Sequence, residues 1–129
     1  MMTSNIKNRV FINLSNHPSS KWDKNQTEAA KCYGEIVDLP FPEVPAQADE
    51  NDVAELASQY MDRIMEYRCE AVMVQGEFTL TYRLIKLLAE KQITVLAACS
   101  ERNTEETVNP DGSTFKKTIY QFVRFRRFT

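Results

Sequence analysis

The chain holds one histidine, His17, and it sits in a run of small polar residues, Asn13-Leu14-Ser15-Asn16-His17-Pro18-Ser19-Ser20. An imidazole titrates near neutrality, so His17 could act as a general acid or base or orient a ribose hydroxyl. Ser15, Ser19 and the backbone amides, if they feed a helix N-terminus, suit a phosphate. The plain alternative is a turn in which Ser20 caps the following helix. Gln75-Gly76-Glu77-Phe78-Thr79 is a second cluster, with a glycine where the backbone must turn tightly or approach a ligand closely. Here too ordinary capping by Thr79, with Glu77 near the positive helix end, accounts for the residue types. Ser100-Glu101-Arg102-Asn103 is the third, and the planar fork of Arg102 can grip a phosphate. An exposed ion pair with Glu101 or Glu105 is the competing role. No GxGxxG or Walker pattern is present, which disfavours a conventional dinucleotide or P-loop site.

Hydrophobic patterning predicts the elements that would hold these clusters. A buried strand is expected over 9–14, a helix from about Lys21 to Tyr33 closed by Gly34, and a strand from Glu35 to Leu39 stopped by Pro40. A stiff proline-spaced loop runs from Phe41 to Ala48. Asp49-Glu50-Asn51-Asp52 then supplies caps for an amphipathic helix with Val53, Leu56, Ala57, Tyr60, Met61, Ile64 and Met65 on one face. Ala71 to Val74 reads as a strand buried on both faces, Leu80 to Lys91 as a helix, and Ile93 to Cys99 as a fourth strand. Asn109-Pro110-Asp111-Gly112 marks a turn between Thr104–Val108 and Phe115–Phe125, an antiparallel hairpin.

The order β-α-β-α-β-α-β-β-β makes this a Rossmann-like α/β fold. Right-handed crossovers favour a parallel sheet of order 2-1-3-4 with the hairpin beyond strand 4. In that order the loops after strands 1 and 3 diverge, and the crevice between them is where such sheets bind ligands. Asn13, Ser15, Asn16, His17, Ser19, Gln75, Gly76, Glu77, Thr79, Ser100 and Arg102 are therefore expected to share one site for a nucleotide-like phosphate compound.

The chain has 129 residues, close to the average for a single domain, and one domain over 1–129 is expected. A net charge of −2 argues against a general DNA binder. The charge is unevenly placed: Lys116, Lys117, Arg124, Arg126 and Arg127 follow one another with no acid among them. The basic-aromatic tail Arg124-Phe125-Arg126-Arg127-Phe128 is read as an edge strand blunted by charge, or a dimer contact. Cys32, Cys69 and Cys99 are odd in number and outside any CxxC pattern, so neither zinc nor a disulfide scaffold is expected and a cytoplasmic location is. Cys99 is a weak nucleophile candidate without a second histidine, and Trp22 is read as core. No apolar run approaches the ~20 residues of a membrane span, and the start, Met1-Met2-Thr3-Ser4-Asn5, lacks a signal-peptide core.

Four segments together resemble a known family. Phe11-Ile12-Asn13-Leu14-Ser15-Asn16-His17-Pro18, Val74-Gln75-Gly76-Glu77-Phe78-Thr79, Ala98-Cys99-Ser100-Glu101-Arg102 and Phe122-Val123-Arg124-Phe125-Arg126 resemble the small stand-alone CRISPR-associated proteins with a CARF-like Rossmann fold. The resemblance implies a homodimer that binds cyclic oligoadenylate, the messenger of type III CRISPR immunity, across its two-fold axis. It also implies ring-nuclease chemistry without a metal or cofactor, in which a ribose 2′-hydroxyl attacks the neighbouring phosphate. His17 would then move the proton, and Arg102 would offset phosphate charge in the transition state. Ser15, Asn16, Ser19, Gln75, Gly76, Glu77 and Thr79 would line the ring. Two other readings stay open: a sensor or sequestering module that binds without cleaving, and a nucleoside deoxyribosyltransferase-like enzyme with Glu77 as nucleophile or base.

Overall fold

The structure, a computed structural model, describes residues 8–129. The polar start from Met1 to Asn5 lies outside the described residues.

Two apolar runs organise the molecule. Arg9–Leu14 (β1) and Arg68–Val74 (β3) are hydrophobic at consecutive positions, and a strand sends alternate side chains to opposite faces. Both faces of both strands must therefore be covered, which puts them at the centre of a sheet. With Glu35–Asp38 (β2), Thr94–Val108 (β4) and Thr114–Arg127 (β5), the strand order is β2-β1-β3-β4-β5. β1 runs parallel to β2 and β3, and β3 parallel to β4, while β5 is antiparallel to β4. The result is a mixed α/β fold with a mostly parallel sheet. Among the described residues there are three α-helices, Lys24–Lys31 (α1), Glu50–Ile64 (α2) and Phe78–Glu90 (α3). None is long and apolar enough to cross a membrane.

One face of the sheet buries Ile12, Leu14, Val72 and Val74 beneath Val53, Ala57 and Ile64 of α2 and Leu80, Leu84 and Leu88 of α3. The other face buries Phe11, Ala71, Met73 and Leu96 against Ala30 of α1 and Phe122 and Phe125 of β5. Phe11 is the hub of that second core. Its ring centroid stands 5.1 Å from Phe125, 5.9 Å from Tyr33 and 6.1 Å from Trp22. Trp22 is thus a packing residue, as expected of it, although it lies before α1 rather than within it.

Two expectations from the sequence need correction. The first helix begins at Lys24 rather than Lys21, because Ser19–Lys21 forms a single 3-10 turn and Asp23, not Ser20, is the cap. One carboxylate oxygen of Asp23 accepts the Gln26 N–H at 2.8 Å. The other accepts the Phe122 N–H of β5 at 3.2 Å.

The second correction concerns the end of strand 4. The sequence places a loop at Ser100 to Asn103 and a separate hairpin after it, but β4 continues without a break to Val108. The polar run from Ser100 to Thr107 has no hydrophobic alternation, so it carries no strand signal of its own. The backbone ladder with β5 holds it extended, with Glu105 opposite Lys117 and Glu106 opposite Lys116 in register. The Asn109–Gly112 turn closes the ribbon, with Gly112 at φ 88° donating its N–H to Asn109 O. The two strands form an exposed arm beyond the sheet. At its base the ladder slips by one residue, from Cys99↔Arg124 to Ser100↔Phe122, and skips Val123. It is at this bulge that Phe122 donates to Asp23.

Asp23 therefore serves the helix and the arm at once. Asp23→Ala is expected to lower the unfolding free energy by about 1–2 kcal/mol in urea titration. It should also speed hydrogen exchange at the Phe122 amide, while Asp23→Asn retains most of the stability.

Candidate functional site

The C-terminal ends of β1, β2 and β3 rise to one edge of the sheet. Two buried polar residues stand at the end of β1, Asn13 within it and Ser15 just beyond it, 1% and 4% exposed. Buried polar groups must find partners, and these do so with each other and with the loops around them. Asn13 Nδ2 donates to the His17 carbonyl at 2.8 Å and to Asp38 Oδ1 at 3.0 Å. Ser15 Oγ donates to Asn13 Oδ1 at 2.6 Å and accepts from His17 N at 3.2 Å. Asp38, the last residue of β2, also takes the Ser19 backbone N–H at 3.2 Å and the Ser19 hydroxyl at 3.1 Å. Main-chain bonds stitch the remaining loops to β1: Leu39 N to Asn13 O, Phe41 N to Ser15 O and Gln75 N to Leu14 O.

The expected site residues thus divide into two groups. Asn13, Ser15 and Ser19 spend their hydrogen bonds inside the protein and shape the loop. Asn16 and His17 are exposed on it, and no hydrogen bond or ion pair engages the His17 imidazole among the described residues. Gln75 is exposed on the neighbouring loop. The edge therefore presents a histidine on a rigid loop, across from an exposed amide, over the switch point between β1 and β3.

Gly76 has a different role from the ligand approach expected of it. A Cβ at this position would stand 2.5 Å from ring carbons of Phe41. Phe41 is buried and packs with the core beneath α2 and α3, so the close approach that demands glycine is to this ring.

Glu77 is the N-cap of α3. Its carboxylate accepts the Leu80 N–H at 2.8 Å and the Thr79 hydroxyl at 2.6 Å. These bonds, the Thr79 hydroxyl foremost, hold the Glu77 carboxyl below its ordinary value. The cap is thus Glu77, with Thr79 as its donor, the reverse of the assignment expected from the sequence. A carboxylate so engaged is a poor base.

Ser100 and Arg102 belong to the arm and not to a strand-end loop. Arg102 is exposed, faces Tyr120 across the ladder, and forms no ion pair among the described residues. Leu96 is the last β4 residue paired to β3, opposite Met73. Arg102 comes six positions later, on the order of 20 Å further along an extended strand. The fold brings residues 13–19 and 75–77 together and carries Arg102 away from them.

Three residues that matter escaped the sequence reading. Asp38 and Phe41 hold the edge, and Asp23 ties α1 to the arm. Asp38 had one signal: it ends the strand that pairs with β1, so its carboxylate had to reach the same edge as Ser15 and His17. Of the cysteines, burial pushes the Cys69 thiol up to about 12, which leaves it unreactive at neutral pH. Among the described residues no three His, Cys, Asp or Glu side chains converge as metal ligands would.

Comparison with known proteins places most of the chain. A family model described as the Uncharacterized protein MJ1673 family matches residues 9–126. No curated protein matches the chain.

Two outcomes follow from this geometry. Gly76→Ala is expected to destabilise the fold by about 1–3 kcal/mol through the clash with Phe41, and Phe41→Leu in the same chain should recover part of the loss in urea titration. Glu77 has a folded pKa below its unfolded one, so its stabilising effect is present above the ordinary value of 4.5 and fades as pH falls through the folded value. Glu77→Gln should flatten the acid limb of a stability-versus-pH curve measured by circular dichroism.

Proposed function

The chain belongs to the uncharacterized protein MJ1673 family, and we propose that it binds a cyclic oligoadenylate at the C-terminal edge of its sheet and cleaves it without a metal. The parallel order β2-β1-β3-β4 supports reading the sheet as Rossmann-like, and doubly wound sheets of that kind bind ligands at a switch point such as that between β1 and β3. The observation that carries the reading is His17: an exposed, unengaged imidazole on a loop that Asn13, Ser15 and Asp38 hold rigid at that point. A rigid loop can hold an attacking hydroxyl in line, and positioning of this kind supplies much of the rate in such reactions. In the proposed step a ribose 2′-oxygen forms a bond to the adjacent phosphorus, and the bond from phosphorus to the 5′-oxygen breaks. His17 takes the 2′-hydroxyl proton and gives it up to solvent, a water molecule protonates the departing 5′-oxygen and regains its proton from solvent, and the strand ends in a 2′,3′-cyclic phosphate.

A second reading has its own support. Asn13, Ser15, Ser19 and Glu77 use their polar groups internally, and Arg102 stands on the arm, which leaves few groups free to act on a phosphate. This favours a sensor that binds the ring and releases it intact. The engagement of Glu77 removes the support for a deoxyribosyltransferase-like role.

Incubation with cyclic tetra- and hexa-adenylate in EDTA separates these readings. Cleavage predicts linear product ending in a 2′,3′-cyclic phosphate, with His17→Ala slower by ~10²-fold or more. The sensor predicts intact ring and a ligand stabilisation of about 3 kcal/mol at a hundredfold excess over the dissociation constant. A protein that neither cleaves nor is stabilised by either ring overturns both.

A further inference from the structure

α2 and α3 lie side by side over one face of the sheet, and between them the surface opens a groove of about 820 Å³. Its two walls are built differently. On α2 the wall is low, with the small residues Ala54, Ala57 and Ser58 on successive turns above Met61. On α3 it is tall: Phe78 and Tyr82, one turn apart, are 87% and 63% exposed. Large side chains left this bare and this close together mark a contact surface. The walls also differ in charge. Asp49, Glu50 and Asp62 border the α2 side, whereas Arg83, Lys86 and Lys91 stand on the α3 side, with Glu90 among them. Lys86 Nζ lies 5.6 Å from the centre of the Tyr82 ring, so charge and ridge sit together.

A ridge beside a hollow, and a basic wall beside an acidic one, form a self-complementary surface. A two-fold rotation seats each ridge in the other hollow and sets each α3 wall against an α2 wall of opposite charge. An unrelated partner could use either feature, but a second copy of this chain satisfies both with no further residues. We propose that the α2–α3 groove is the docking surface for a second copy of this chain, with Phe78 and Tyr82 of each copy seated against Ala54 and Ser58 of the other. Phe78 follows Glu77 directly, so the contact reaches the edge of the sheet where His17 and Gln75 stand. The inference rests on the two helices alone and not on the ligand.

Sedimentation velocity of the full chain at tens of micromolar tests it, and its readout is mass, independent of any cleavage assay. The wild type is expected to sediment near twice the 14.9 kDa chain mass. Tyr82→Glu should shift it to the single-chain mass with an unchanged circular dichroism spectrum, and Ala54→Arg, which fills the hollow instead of removing the ridge, should do the same. Lys86→Glu should weaken association at least tenfold, and adding Asp62→Lys to that chain should restore it. Tyr120→Glu on the arm should leave the dimer intact. A monomeric wild type overturns the proposal, as does a dimer that survives both Tyr82→Glu and Ala54→Arg.

Discussion

The C-terminal edge of this protein depends on one buried amide. Asn13 stands near the end of β1, where a hydrophobic residue would pack but could not hold what surrounds it. Its nitrogen reaches forward to the His17 carbonyl and sideways to Asp38, and its oxygen holds Ser15. The loops after β1 and β2 are thereby fixed to one point. An apolar residue of similar size would take one donor from the His17 carbonyl, one from Asp38 and the acceptor from Ser15, hydrogen bonds worth roughly 0.5–1.5 kcal/mol each. The same network holds the backbone of the loop that carries His17, although His17 itself faces solvent.

A second carboxylate does comparable work on the far side of the sheet. Asp23 caps α1 and accepts from Phe122 at the bulge, so the one helix on that face and the base of the arm are fixed together. The bulge frees a backbone N–H that would otherwise need water, and Asp23 supplies the acceptor. Phe122 and Phe125 are buried immediately around this point, while the ribbon beyond it is exposed. The aromatic cluster around Phe11 is what anchors an arm whose outer rungs have little core of their own.

Much of the architecture was legible in the residues. The consecutive apolar positions of β1 and β3 required a sheet covered on both faces, and the spacing of Val53, Ala57, Met61 and Ile64 required a helix with one buried face. The run Asp49-Glu50-Asn51-Asp52 signalled the N-terminus of α2, where Asp49 and Asp52 form a capping box. Crossover handedness then ordered the parallel strands. The candidate site was legible only in outline. Asn13, Ser15, Ser19, Gly76 and Thr79 are all at the edge, but their types allowed both ligand contact and internal bonding, and spacing along the chain cannot choose between these.

The amino-acid sequence by itself determined the elements, their order and the edge to which His17 comes, because period, caps and turn residues are local properties. Tertiary structure alone decided which polar groups are consumed and which are free. Asp38 meets Asn13 across 25 positions and Asp23 meets Phe122 across 99, and nothing local encodes either pair. The same holds for Gly76, whose neighbour is a phenylalanine from another loop, and for Arg102. A polar run becomes strand only where a partner strand is present to bond it, and that is what carries Arg102 onto the arm.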